Sequence, residues 1–406
     1  DKSNSDPYLM VLNGSGSDYA SAKLAVYMLG EVGLTAKTRY AYSENEEIPM
    51  KTATSMATTA VRLSDGSVYL LYIGGDVLGQ KTFISQKLNS RFLYKEISKN
   101  KYAVYSWIQF DDEVKGYDKA TKTVMNIPGY IDGHKIEVIA AEFTRGCIGV
   151  SKVTIPNTVT EIKRGAFVYT KRIQSISISS SVKTIAADVF SGNNCLKFTV
   201  DSNNKYFKAI NGDLYSKDGK TLVSATGSSM TKIPDFVEVI GGDAFCGNDH
   251  IVDITIPATV KKISYAAFAS CDNLRNVIIE GNGLTTVESR AFQTTKLISL
   301  NIPSSVTSFS YDAFDWAEII LVICPDGEIS QKLTGKDKIQ NLLVDTSGTL
   351  TGRTFTKKPT CESDGELKVN FSTGSSKTYT IPKSNLYHDY KVDAIKIRLR
   401  NGISFR

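Results

Sequence analysis

One short template recurs along most of this chain, and it restricts the possible folds more than any other feature. In the unit at 251–271, an apolar ladder at Ile251, Ile254 and Ile256 ends at a proline, and Phe268 follows. The ladder restarts at steps of 22 or 23 residues, apart from one step of 56. The first ladder residues are Val150, Ile173, Cys195, Ile251, Leu274, Leu297 and Ile319. The aromatic residue recurs in the same register at Phe143, Phe167, Phe190, Phe245, Phe268, Phe292 and Phe314.

Repeats of this length predict a solenoid. A single unit buries too few apolar side chains to offset the conformational entropy lost on ordering it, so neighbouring units must stack to complete the core. Alternation of Ile254 and Ile256 predicts a short strand with one face inward, and the proline after it turns the chain. Val260 and Ile263 form a second inward edge. We therefore predict parallel strands about 4.8 Å apart along one side of the coils.

The repeat register also divides the chain into three parts. We predict an α+β module at 1–101, the solenoid at 102–345 and a small β module at 346–406. In the first module the patterns favour strands at 8–12, 36–42 and 102–110, a hairpin around Asp65-Gly66, and helices at 17–30 and near 81–89. The long step of 56 residues predicts an insertion near 202–229. Its Asn211-Gly212 and Asp218-Gly219 turns favour a β-hairpin that protrudes from the stack.

Composition and charge exclude several classes of partner. The net charge is +6, but its 48 basic and 42 acidic residues are interspersed, so we predict no nucleic-acid binding. No apolar run approaches the roughly 18 residues of a membrane span. The chain starts at Asp1 without an initiator Met, which suggests a mature exported protein or a trimmed chain. A lipid or wall anchor could lie outside the given sequence, and we expect a monomer.

Residue patterns for cofactor, metal or catalytic sites are scarce. The three histidines, His134, His250 and His388, are scattered, and the sequence contains no H-E-x-x-H, C-x-x-C or G-x-S-x-G. We interpret the six cysteines as mostly buried, unpaired thiols, and Gly14-x-Gly16 as a plain turn. We expect no enzyme activity, cofactor or metal. A spatial Ser–His–Asp triad stays open, because such triads leave no pattern in sequence.

The outward positions of the predicted strands form a polar strip, which is the candidate binding site. Its residues are Lys152, Thr154, Ser175, Ser177, Lys197, Thr199, Asp253, Thr255, Asn276, Ser299 and Asn301. Stacked coils would align them into a flat surface suited to many weak contacts. The alternative is that Ser and Thr simply tolerate exposed strands. Ile278, Leu321 and Ile323 interrupt the polarity, and we expect the C-terminal module to cover them.

The repeat unit resembles the BspA-like leucine-rich repeats of bacterial surface proteins over about 122–340. The segment NNKYFKAINGDLYSKDGKTLVSA at 203–225 is similar to an insertion common in that family. The resemblance implies export, surface display and adhesion to proteins or glycans, with no catalytic residues. The predicted fold class is therefore α+β, with a leucine-rich-repeat solenoid of short parallel strands and 22- or 23-residue coils between two small modules.

The C-terminal region at 354–392 resembles a tail module of gut-bacterial surface proteins. The matching residues are Cys361, Asp364, Gly365, Ile381, Pro382, His388 and Tyr390. The C-x-x-C-G of that module is missing here. A metal site would need those thiolates, so we expect a small β module without zinc.

Together these patterns predict a non-catalytic, adhesin-like interaction protein. We expect it to be extracellular or at the cell surface, and to bind host or microbial proteins or glycans through the repeat surface. Two alternatives stay open. Residues 1–101 could carry an enzyme activity that the repeats only target, or the repeats could be a spacer that displays other domains.

Overall fold

The computed structural model describes most of the repeat region and parts of both flanking regions. The described residues are 35–40, 57–65, 67–75, 81–108, 123–144, 147, 150–168, 170, 173–193, 196–317, 319–324, 327–333, 339–344, 350–357, 363–371 and 373–381. They fall into two compact units, Asp1–Val189 and Phe190–Arg406.

The first unit contains a four-stranded antiparallel meander. Its strands are β1 (Thr35–Tyr40), β2 (Ala57–Arg62), β3 (Val68–Gly75) and β4 (Lys81–Leu88). The predicted strand near residue 36 and the hairpin between β2 and β3 are confirmed. The predicted helix at 81–89 is wrong, because β4 pairs with β3 along its whole length and contains strand-favouring Thr82, Phe83 and Ile84. The predicted strand at 8–12 and helix at 17–30 lie outside the described residues.

The coils of the first unit carry two parallel sheets. The strands are β5 (Phe92–Ser98), β6 (Lys101–Trp107), β7 (Thr123–Asn126), β8 (Tyr130–Ile131), β9 (His134–Ile139), β10 (Val150–Thr154), β11 (Glu161–Ile162), β12 (Ser175–Ile178) and β13 (Thr184–Ile185). Strands β7, β10 and β12 form the first sheet, and β6, β9, β11 and β13 form the second. The predicted strand at 102–110 is confirmed as β6. The predicted boundary after residue 101 falls inside β6, which forms a hairpin with β5.

The second unit continues the same kind of coil. Its elements are β14 (Lys197–Val200), β15 (Phe207–Ile210), β16 (Asp213–Ser216), β17 (Thr221–Ser224), β18 (Val239–Ile240), β19 (Asp253–Ile256), β20 (Lys262–Ile263), β21 (Asn276–Ile279), β22 (Thr286–Val287), β23 (Ser299–Asn301), β24 (Ser308–Phe309), β25 (Ile319–Cys324), α1 (Glu328–Leu333), β26 (Ile339–Val344), β27 (Leu350–Lys357), β28 (Gly365–Phe371) and β29 (Ser376–Ile381). Strands β19, β21, β23, β25 and β26 form a parallel sheet, and β27–β29 form an antiparallel meander.

The insertion is a β-hairpin, as predicted, but it does not protrude from the stack. Strands β15 and β16 are antiparallel across the two-residue Asn211-Gly212 turn, in which both residues have positive φ. Strand β17 is antiparallel to β16, which completes a three-stranded insertion, and pairs in parallel with β18 on its other side. The hairpin therefore extends the sheet of β18, β20, β22 and β24. The insertion stays in the sheet because backbone groups of β17 form hydrogen bonds with β18.

The interior of the coils is a column of aromatic rings surrounded by aliphatic side chains. Phe245 and Phe268 stack with centroids 4.9 Å apart, and Phe268 and Phe292 stack at 5.3 Å. In the first unit, Phe143 and Phe167 meet edge to face at 6.0 Å. Such pairs add to the stability gained from burial alone. The predicted aromatic plug is confirmed.

The described cysteines behave as small apolar residues. Cys147, Cys271 and Cys324 are buried, Cys246 is half-buried, and all four are free thiols. Burial raises the pKa of Cys271 well above its usual value, which disfavours the reactive thiolate. Cys195 and Cys361 lie outside the described residues.

Candidate functional site

In the first unit, the polar strip has two side-by-side rows. Lys152 on β10 faces Ser175 on β12, and Thr154 faces Ser177 in the same register. The alternation of strand residues puts these four on the outer face, because Val153 and Ile176 between them are buried. The Lys152 side chain is exposed, and the other three are half-buried. The structure therefore brings these four predicted residues together.

Strand β7 extends both rows by residues that the sequence patterns missed. Val124 pairs with Lys152, and Asn126 pairs with Thr154, and both added side chains are exposed. The segment around Asn126-Ile127-Pro128 shows the same isoleucine–proline signal as the later coils. That signal identifies the coil, and its outward residues follow from alternation.

Lys197 has a structural task beside its place in the strip. Its aliphatic stem covers Gly212, where an added Cβ would lie 2.5 Å from Lys197 Cδ. Its Nζ lies 3.9 Å from Oδ1 of the buried Asp213. Burial raises the pKa of Asp213, and the charge of Lys197 opposes that rise. Lys197 therefore helps to anchor the hairpin, whereas Thr199 on the same strand is simply exposed.

The strip in the second unit is open at β19. Asp253 is exposed and faces Asn276 on β21, whose amide donates a hydrogen bond to the Asp253 carboxylate. Thr255 is half-buried and pairs on its other side with Lys232. These residues form a continuous polar surface across three coils.

Lys232 is a further residue that the repeat register missed. Its Nζ lies 3.2 Å from carboxylate oxygens of both Glu280 and Asp235. The hydrogen bond to Glu280, followed by that to Asp235, raises the pKa of Lys232 above its usual value. The coil could have been found from Lys232-Ile233-Pro234, because it matches Thr255-Ile256-Pro257. The long step of 56 residues concealed it.

Solvent exposure beside the strip decreases over the next coils. Val252, Arg275 and Ile298 occupy the same position in successive coils, and their exposure falls from 41% to 5% to 0%. The outward-facing Ile323 is also buried, and Ile278 is half-buried. Cα atoms of β27 come within 8 Å of β21. The C-terminal sheet therefore lies against the region where the outward residues become apolar.

Asn301 was predicted as part of the open strip, and the structure places it in the covered part. Only 4% of Asn301 is exposed. Its Oδ1 accepts the N–H of Ile279 at 3.1 Å, and its Nδ2 donates to the Ile279 carbonyl at 3.0 Å. Both polar atoms are thus used in place of strand-to-strand hydrogen bonds. Ser299 lies on β23, and its side chain is outside the described part.

The described residues contain little that resembles a catalytic or metal centre. No group of three or more His, Cys, Asp or Glu among them could hold a metal ion. The His134 ring lies tilted against the Tyr102 ring with centroids 4.2 Å apart, and the backbone N–H of His250 donates to the side chain of Asn248. His388 lies outside the described residues. In the described part of the chain, no helix is long and apolar enough to cross a membrane.

The sequence match agrees with the coil geometry. Residues 131–216 and 224–325 match the family described as BspA type leucine rich repeat region, in six copies. The repeat region is therefore of the BspA leucine-rich-repeat type, and repeats of this type are generally non-catalytic. No curated protein matches the chain significantly.

Several solved bacterial repeat proteins are similar to parts of the chain. A leucine rich cell surface protein from Faecalibacterium prausnitzii is 22% identical, over 54% of this chain and 62% of that one, with a TM-score of 0.38. A leucine-rich repeat protein from Bacteroides ovatus is 21% identical, over 58% and 70%, with a TM-score of 0.34. The pneumococcal vaccine antigen PcpA is 14% identical, over 71% and 98%, with a TM-score of 0.32.

The chain spans about three fifths of the Faecalibacterium protein's length. The assignment of repeat type therefore rests on the family match and on the coils themselves.

Proposed function

We propose that this is a surface-displayed or secreted interaction protein, and that the open part of the polar strip binds an extracellular protein. Each unit has its own open part: Asn126, Lys152, Thr154, Ser175 and Ser177 in the first unit, and, as a separate surface, Lys232, Asp253, Thr255 and Asn276 in the second. The rows of each part repeat at the strand spacing of about 4.8 Å, so an extended partner would meet the same kind of contact on each coil. Adhesion is the role that such a surface would serve.

The observation that carries the proposal is the contrast along one sheet face. Around Asp253 the outward polar side chains are accessible, whereas farther along the sheet Ile323 is buried and the buried Asn301 has both amide atoms bonded to the backbone. A strand face that is only exposed to solvent, and binds nothing, could consist of Ser and Thr alone. The open part instead holds charged groups in hydrogen-bonded pairs, including Asp253 with Asn276 and Lys232 with Glu280. Such groups favour specificity in binding.

The test is capture of immobilised matrix proteins and mucin by the intact chain. The Lys152→Glu variant should weaken the strongest interaction by about tenfold, because a contact charge is reversed at the surface. Lys183→Glu is the matched control, since Lys183 is exposed in the same unit but precedes β13 of the second sheet. Equal loss in both variants, or no capture by the intact chain, would contradict the proposal. The spacer interpretation would then be the better one.

A further inference from the structure

The turn at 310–317 carries two large aromatic side chains in water. Tyr311 is 70% exposed and Trp316 is 67% exposed. Both flank Phe314, whose ring stacks on Phe292 inside the coil at 5.6 Å. The interior of this coil therefore already has its aromatic residue. The two exposed rings are not needed for the core.

Trp316 also has an unfavourable backbone. Its φ is +60°, in the left-handed region that glycine prefers. Equivalent turn positions in other coils, two residues after the buried Phe, hold Gly192, Gly247, Ser270 and Thr294. A bulky residue at positive φ is a genuine outlier. Because φ is positive at this turn position in the other coils too, the repeat itself requires the left-handed conformation, and only the bulky side chain is particular to Trp316.

Stacking of the turns sets hydroxyl groups beside these rings. The Thr294 backbone N–H donates to the Asp315 carbonyl at 3.1 Å, which places Thr294 next to Trp316. Thr294 Oγ1 and Ser270 Oγ lie 3.0 Å apart. Ser270, Thr294 and Trp316 therefore form one row across successive turns, in which two hydroxyl groups precede an indole ring.

A second row lies on the other side of the buried Phe column. The Ala266 backbone N–H donates to the Ser289 carbonyl, and Ser289 Oγ donates to Asp312, so Tyr265, Ser289 and Tyr311 follow one another in successive turns. Serine in the middle leaves a gap between the two tyrosines. Arg290 fills one side of it, with its guanidinium 5.9 Å from the Tyr265 ring and a hydrogen bond to the Tyr265 hydroxyl at 3.0 Å.

We propose that this aromatic turn surface, formed by Tyr265, Ser270, Ser289, Arg290, Thr294, Tyr311 and Trp316, binds an oligosaccharide. A pyranose ring has an apolar C–H face that stacks on an aromatic ring, and its hydroxyls need polar partners around the edge. The aromatic turn surface offers both aromatic rings and hydroxyl-bearing side chains. Coils repeat every ~4.8 Å, about the length of one sugar residue in a chain, so successive sugars meet successive turns.

The composition of the surface favours a sugar over a protein partner. Trp, Tyr and Arg also anchor protein interfaces. The cores of such interfaces are depleted in Ser and Asp, and they need contiguous apolar area. Here Ser289 and Asp312 separate the aromatic side chains, and Asp312 is fixed by hydrogen bonds from Ser289 and Ser310. These polar groups suit sugar hydroxyls. The site lies in the turns and does not depend on the function proposed for the strand face.

Intrinsic fluorescence offers a direct test on the intact chain. The protein contains two tryptophans, and the other, Trp107, is only 8% exposed. The intact chain is first applied to a glycan array, and then titrated with cellopentaose and with a poly-N-acetyllactosamine oligomer. We expect array binding, and a saturable change in emission with at least one oligomer. Emission should change because the exposed indole of Trp316 becomes covered.

Variants separate binding from folding. Trp316→Gly should abolish the emission change and weaken binding by about tenfold or more, while its melting temperature stays equal or rises because the left-handed strain is relieved. Tyr311→Ser should weaken binding without removing the Trp316 signal. Tyr130→Ser is the matched control, because Tyr130 is equally exposed in the first unit. The proposal is overturned if no glycan binds, if binding survives both substitutions, or if Trp316→Gly instead abolishes capture of a protein.

Discussion

Two asparagines on adjacent strands of one sheet show how the same repeat produces an open surface and a covered one. Asn276 is half-buried on β21, and its amide reaches the exposed Asp253. Asn301 on β23 is buried, and its amide bonds both polar atoms of the Ile279 backbone. Both sit at outward strand positions. The environment of the strand face, and not the residue type, decides whether the side chain can meet a partner.

The interior of the coils does not change between these regions. Ile254, Val277 and Leu300 are all buried at the equivalent inward position. Inward residues fix the coil, so outward residues are free to differ along its length. The difference between the open and the covered part can therefore be tested by substituting outward residues alone.

The largest expected effect comes from adding a charge to the covered part. Ile323→Asp should destabilise the protein by about 4 kcal/mol, because an unpaired carboxylate would be buried beside β23 and β26. Ser177→Asp, on the open face, should change stability by less than about 0.5 kcal/mol. Chemical denaturation of both variants measures the contrast. Similar losses in the two would mean that the faces do not differ.

Gly283 tests the coil that lies at the transition between the two parts. A Cβ at this position would lie 1.6 Å from the Ala258 carbonyl oxygen, so the backbone would have to move. Gly283→Ala should cost about 3 kcal/mol. Gly374→Ala is the control, since its Cβ would meet nothing within 4 Å and only the positive φ is unfavourable. We expect about 1 kcal/mol for that control. Thermal unfolding that ranks the two in the opposite order would contradict this packing.

Asn301 should contribute more to stability than its strip neighbours. Asn301→Ala leaves the Ile279 N–H and carbonyl without their side-chain partners in a buried site, which should cost about 2 kcal/mol. Urea unfolding at constant m-value measures the loss. A change below the experimental error would indicate that water or the backbone replaces the amide.

Asn276→Ala should have the smallest effect. Its hydrogen bond to Asp253 is exposed to solvent, and water can replace it, so the expected cost is about 0.5 kcal/mol or less. Denaturation in the same buffer gives the comparison with Asn301→Ala. If the two asparagines cost the same, exposure is not the property that separates them.

Periodicity predicts the inward half of this structure because burial is encoded in residue type. The positions of Ile254, Ile256 and Phe268 identify the strand and the aromatic plug without further information. The same reasoning fails at 81–89, where pairing with β3 decides in favour of a strand. It also fails at the hairpin, whose docking depends on hydrogen bonds with β18 that local pattern does not contain.

The outward half is harder to predict, since polar side chains occur on both open and covered faces. The sequence places Asn301 in the strip, but its burial depends on packing in the folded chain that the local pattern does not contain. Lys232 was missed for another reason, because the insertion disturbs the register before its coil. A search for isoleucine–proline pairs alone would recover it. The repeat register places Trp316 at a turn position that has positive φ in other coils too, but the exposure of its ring is a property of the folded turn.

Lysine footprinting tests the central claim most directly. The intact chain is acetylated alone and with the matrix protein or mucin that it captures best, and each lysine is quantified by mass spectrometry. Binding to the polar strip predicts that the partner protects Lys152 in the first unit and Lys232 in the second. Lys183, which precedes β13, and Lys262, on β20, lie at other sheets than the strip and should react as before. Protection of Lys183 and Lys262 with no change at Lys152 would contradict the account.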